Sequence, residues 1–257
     1  MFENNTHNKD IYTRRREIVF LVLSGIFIGT LAMLNILGIT RLIDFSFTLF
    51  GFSIPFRVFV GVLPYPITFL CTDFISEMYG KKRATYVVWT GLLLNLWVLF
   101  ILWIGGILPP TPEIDPSTRL PHEGDPNYLF YNIRMLTFSA TIASMIAYLT
   151  AQFIDVHVFH LFRNYTKGRH LWLRNNGSTL TSQFVDSIAV VLITYFFTNA
   201  QLVKEGESVA TELIILIASN YVFKMTAALI DTIPFYIGVG ILKKYLNIDP
   251  LLEYKTV

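Results

Sequence analysis

A single cysteine, Cys71, occurs among the 257 residues, so no disulfide can form within the chain and no redox framework exists. Charge is equally scarce. Asp, Glu, Lys and Arg make up 15% of the chain, against about 25% in a soluble domain. The formal net charge of +2 comes from short, separate basic clusters, which gives nucleic acid no footprint. Catalytic signatures are missing too. No Ser-His-Asp order, HExxH, Walker loop or GxGxxG is present, so neither an enzyme nor a cofactor is expected. His157 and His160 stand three apart, but no Cys or second His pair completes a four-ligand set, and interfacial packing is their expected role.

What the chain does hold is apolar surface. Hydrophobic residues make up 53% of it, gathered in blocks of roughly 20 or more residues, the length that spans a bilayer. Six segments qualify: 18–38, 54–79, 84–108, 131–162, 178–203 and 211–242. The expectation is an all-α integral membrane protein of six transmembrane helices. A tail at 1–17, a transmembrane domain at 18–242 and a second tail at 243–257 complete the plan. No cleavable signal is expected, because the first apolar stretch is too long for an h-region and lacks a small-residue cleavage site. Pro64 and Pro66 should break or kink the second span.

The stretch 42–63 could be read as a seventh span, but loop charge opposes it. With six spans, one side collects Lys9, Arg14, Arg15, Arg16, Lys81, Lys82, Arg83, Arg163, Lys167, Arg169, Arg174, Lys243, Lys244 and Lys255. The other side receives only Arg41, Arg57, Arg119, Arg134 and Lys204. By the positive-inside rule both termini are then cytoplasmic. The loop at 109–130, rich in Pro and acid over 109–128, becomes an external cap with little regular structure.

Polar residues interrupt the spans. "TAQFIDV" (150–156) and "TSQFVDS" (181–187) place Gln152 with Asp155 and Gln183 with Asp186. Residues three apart share a helix face. A carboxylate at the centre of a span costs about 2.5–3.5 kcal/mol on insertion scales, so these faces should look into the bundle or a wet cavity. Counting ~1.5 Å per residue from the cytoplasmic ends puts Asp73, Asp155 and Asp186 about 10–12 Å deep and Asp231 about 18 Å deep. Asn95 falls in the same slab, and Phe69, Phe153 and Phe184 are close enough to stack on a flat ligand. The acids Asp73, Glu77, Asp155, Asp186 and Asp231 outnumber the one intramembrane lysine, Lys224. Helix–helix glue is the competing role for the glutamines, and pairing with Lys224 for an aspartate.

Three stretches resemble one family. "PITFLCTDFISEMYGKKRA" (66–84), "WLRNNGSTLTSQFVDS" (172–187) and "KMTAALIDTIPFY" (224–236) are similar to the queuosine precursor transporters, a family also called vitamin uptake transporters. The resemblance implies a multi-pass importer of the prokaryotic inner membrane. Its substrates would be 7-deazapurines such as 7-cyano-7-deazaguanine, 7-aminomethyl-7-deazaguanine or queuine, destined for tRNA modification. It carries over onto Thr72, Asp73 and Glu77, onto Ser178, Gln183 and Asp186, and onto Lys224 and Asp231. The implied partners are the small-molecule substrate and membrane lipid, with homo-oligomerisation left open. The alternative is the substrate-binding subunit of an energy-coupling-factor vitamin or nucleobase importer, which would need separate ATPase partners.

Overall fold

A computed structural model describes residues 2–109, 127–166, 171–197 and 208–248. Six α-helices run through them: α1 (Phe2–Leu37), α2 (Tyr65–Tyr79), α3 (Lys81–Ile107), α4 (Tyr128–Tyr165), α5 (Leu171–Phe197) and α6 (Val209–Leu246). Apolar stretches long enough to cross a membrane lie at Asp10–Leu37, Lys82–Ile107, Tyr128–Ala151 and Val209–Leu246, with a shorter one at Leu180–Phe196. Their side chains turn outward in a way water would not tolerate: Leu21 is 70% exposed, Leu93 68%, Ile214 66%. The chain is an α-helical, multi-pass membrane protein. The loop expected at 109–130 falls almost wholly outside the described residues.

The second expected span, 54–79, is corrected by the structure. Only its C-terminal part is α-helical. α2 starts at Tyr65, with Pro64 as N-cap and a proline in the first turn, where a missing N–H leaves no helical bond unmade. The two prolines thus start the helix and do not kink it. It stops at Gly80, whose φ of 84° suits a residue without Cβ.

Residues 42–59, weighed as part of a seventh span, form a β-ribbon. β1 (Leu42–Asp44) pairs antiparallel with β4 (Arg57–Phe59), and β2 (Phe47–Leu49) with β3 (Phe52–Ile54). Both ladders keep one register, and Phe45 N–H donates to the Phe56 carbonyl between them. Phe50 and Gly51 close the tip with φ of 50° and 83°, the two positive values of a type I′ hairpin turn. A 3₁₀ turn at Val60–Val62 returns the chain towards α2.

The helices form two compact units. The first comprises residues 1–33, 64–96 and 226–257, with a core of Phe27, Cys71, Ile75, Ala84 and Val87. At one end, Arg16 donates to the Leu246 and Asn247 carbonyls, at 3.1 and 2.7 Å for its Nε and Nη2. A cation there satisfies the orphan carbonyls and the negative pole of α6. Tyr79 Oη donates to the Arg16 carbonyl at 2.8 Å, and the Arg83 guanidinium lies over the rings of Phe20 and Tyr79. The Arg16–Phe20 stretch of α1, the junction of α2 with α3 and the end of α6 therefore meet at one basic pole. Gly238 lets α6 approach α2, since a Cβ there would lie 2.3 Å from the Phe74 ring.

The second unit comprises 34–63 and 97–225. Its core joins Phe59 and Val62 to Ala140 of α4, Val191 of α5 and Leu216 of α6. Gly38 and Gly61 make the foot of the ribbon possible. Gly61 N–H donates to the Gly38 carbonyl, and a Cβ on Gly61 would stand 2.6 Å from Gly38 Cα.

Candidate functional site

In the second unit, α5 and α6 are tied by a buried ion pair. The Lys224 ammonium donates to Asp186 Oδ2, and both side chains are almost fully enclosed. Desolvating two charges costs several kcal/mol each, so such a pair persists only with close geometry and further hydrogen bonds. One turn from Asp186 on α5 lies Gln183, whose Oε1 is buried without a hydrogen-bond partner. One turn from Lys224 on α6 lies Asn220, whose Nδ2 donates to the Leu216 carbonyl at 2.7 Å while Oδ1 is left unsatisfied. Residues three or four apart share a face, so the ion pair brings these two amides towards a common polar patch. Phe184 and Tyr221 meet edge to face beside it, with centroids 5.3 Å apart. Two buried amide oxygens with nothing to accept, next to a carboxylate, describe a surface that receives N–H donors.

The depth estimate is corrected here. The apolar run alone places Asp186 about 12 Å deep. α5 begins at Leu171, seven residues before the apolar run does, so Asp186 lies about 22 Å along its helix at ~1.5 Å per residue. The polar residues 174–176 belong to the helix although they do not belong to the apolar span.

A second acidic group lies in the first unit. Asp73 of α2 and Asp231 of α6 are within electrostatic reach of each other. Asp73 is exposed, and Asp231 Oδ2 has no hydrogen-bond partner. Pro234, inside α6, has no N–H to donate to the Ile230 carbonyl, one residue before Asp231. Thr72 Oγ1 returns its proton to the backbone carbonyls of Thr68 and Phe69. Phe69 packs edge on against Tyr65, Glu77 is half-buried and Asn95 buried. The side chains of Gln152, Asp155 and Ser178 fall outside the described residues.

Reasoning from sequence missed a second buried ion pair. Arg57 of β4 holds Glu212, in the first turn of α6, through Nη2–Oε1 at 2.6 Å and Nη1–Oε2 at 2.5 Å. The Arg57 backbone N–H also donates to Ser219 Oγ at 3.1 Å. The signal available was one arginine in the otherwise apolar stretch 54–63. Glu212, Leu216, Ser219, Asn220 and Lys224, all buried, give α6 an inward stripe that is mostly polar. Thr137 and Thr141 of α4 and Ser187 of α5 are also fully enclosed. Among the described residues no cluster of His, Cys, Asp and Glu could hold a metal ion.

Buried charges and amides in a multi-pass helical protein, as in the α5–α6 patch, are what a protein of the class that handles polar solutes within a membrane would need. Comparison with known proteins narrows that class. The family described as "Putative vitamin uptake transporter" matches residues 59–238, and the chain belongs to that family. It is 28% identical over 137 residues to the "Probable queuosine precursor transporter" of Bacillus subtilis (strain 168), covering 53% of this chain and 56% of that protein. It is 22% identical over 214 residues to the "Queuosine precursor transporter" of Escherichia coli (strain K12), covering 80% and 83%. The match thus spans about half the length of the first relative and most of the second. No solved structure matches the chain significantly.

Proposed function

We propose that the protein imports queuosine precursors, 7-deazapurines such as 7-cyano-7-deazaguanine, 7-aminomethyl-7-deazaguanine or queuine, across a prokaryotic inner membrane. Two relatives bear that transporter name. The observation that carries the reading is the α5–α6 patch, where buried amide oxygens of Gln183 and Asn220 lack donors beside Asp186. A guanine-like edge presents adjacent N–H groups, and amide and carboxylate oxygens accept them. Lys224 occupies Asp186 Oδ2, and Oδ1 remains as the second acceptor of the carboxylate. Phe184 and Tyr221 supply aromatic surface for the flat ring. Asp73 and Asp231, in the other unit, form a separate acidic group suited to N–H donors. The basic pole of α1, α3 and α6 is cytoplasmic in this reading, in keeping with the positive-inside rule.

Calorimetry on the purified protein tests it. Wild type binds a 7-deazaguanine in preference to adenine, and Asp186→Asn loses about 2–5 kcal/mol of binding, the cost of removing a buried charged partner. Unchanged binding by both Asp186→Asn and Asp73→Asn would move the site elsewhere.

A further inference from the structure

The β-ribbon has two chemically different faces. Opposite residues of an antiparallel pair lie on the same face, and successive residues alternate. The register therefore groups Phe45, Phe47 and Leu49 with Phe56, Ile54 and Phe52 on one side. Ser46, Thr48 and Ser53 fall on the other. No charged residue occurs between Asp44 and Arg57. The apolar side is open, with Phe45 46% exposed, Phe47 49%, Leu49 47% and Phe52 75%.

Neither water nor the hydrocarbon core suits this element. An isolated two-stranded hairpin is marginal in water, and this one would leave Phe45, Phe47, Leu49 and Phe52 wet. Its two edges also carry unpaired backbone groups, which a hydrocarbon layer does not tolerate. The surface that satisfies both constraints is the lipid interface, where acyl chains take one face and hydrated headgroups the other. Three further observations favour lipid. The ribbon emerges where α1 ends, and the flanking residues Leu37 and Leu63 are themselves exposed and apolar, which continues the lipid-facing surface. Arg41, at its foot, is exposed and carries the charge that a headgroup phosphate attracts. The base is fixed by the Arg57–Glu212 pair and by Phe59 in the core, so the projecting half is held in one orientation.

We propose that residues 45–56 form an interfacial anchor, with Phe45, Phe47, Leu49, Phe52, Ile54 and Phe56 seated on the acyl chains and Ser46, Thr48 and Ser53 facing water. The full chain is reconstituted in phosphatidylethanolamine–phosphatidylglycerol vesicles in a Cys71→Ser background. Spin labels are attached singly to Phe47→Cys, Phe52→Cys, Thr48→Cys and Ser53→Cys, and Ile101→Cys on the exposed face of α3 serves as the lipid reference. The expected result is an oxygen-to-nickel-chelate collision ratio severalfold higher at 47 and 52 than at 48 and 53, approaching that at 101. Equal, water-like ratios at all four ribbon positions would overturn the proposal in favour of a solvated hairpin. Protection of 47 and 52 from both reagents would overturn it in favour of a protein partner, such as a second copy of the chain. Because position 52 is 75% exposed, a label there tests the proposal even if one at 47 disturbs folding.

Discussion

Replacing Lys224 by methionine keeps most of the length of the side chain and removes its charge, leaving the Asp186 carboxylate buried without its partner. Both members of the pair are largely enclosed, so little water is at hand to take the place of the ammonium. Breaking a buried pair from one side costs about 3–5 kcal/mol. In a chain of this size a change of 1 kcal/mol moves Tm by roughly 2–4 °C, so Lys224→Met is expected to melt about 6–20 °C lower. Cys71 is the only thiol and is buried in the core of the first unit, which makes a thiol-reactive dye in detergent a native reporter of unfolding. The double variant Asp186→Asn/Lys224→Met removes both charges and should recover most of the loss, because replacing a buried pair by neutral groups is often neutral or stabilising. A single variant that melts like wild type, or a double variant no better than the single, would overturn this expectation. In the first case the pair is not desolvated; in the second the damage comes from packing and not from charge.

Three further outcomes are expected. Arg57→Met should destabilise by a similar 3–5 kcal/mol by stranding Glu212, whereas Arg57→Met/Glu212→Gln should recover most of it in the same melting assay. Gly238→Ala should lower Tm, since its Cβ would meet the Phe74 ring at 2.3 Å and overpacking typically costs 1–3 kcal/mol. Gly25→Ala, with open space around it, is the matched control that should not. Reporter fusions at Lys82, at Asn164 and at the C-terminus should signal cytoplasm and one at Glu123 the outside. A cytoplasmic signal at Glu123 would reverse the proposed orientation.

Five of the six helices were legible as long apolar runs, because length and hydropathy suffice where a helix turns apolar side chains towards lipid. The segment 42–63 shows where that criterion fails. Its apolar residues recur at every second position, Phe45, Phe47 and Leu49 and then Phe52, Ile54 and Phe56, with serine, threonine or proline between several of them. That is the period of a strand, and a count of apolar length over 20 residues passes over it. The acids and amides of the site were legible as residues out of place. Their pairing was not, because Lys224 meets Asp186 across 38 residues and Arg57 meets Glu212 across 155. Depth counted from the edge of an apolar run also misled where α5 continued past it in polar residues.

Under the function proposed above, this chain moves a deazapurine across the membrane by itself. Proteoliposomes containing only the purified protein, loaded and tested with labelled 7-cyano-7-deazaguanine, measure that directly. Saturable uptake is expected, which unlabelled 7-deazaguanines compete away and adenine does not, and which Asp186→Asn abolishes. Absence of uptake until a separate ATPase complex is added would contradict it and identify the chain as a binding subunit.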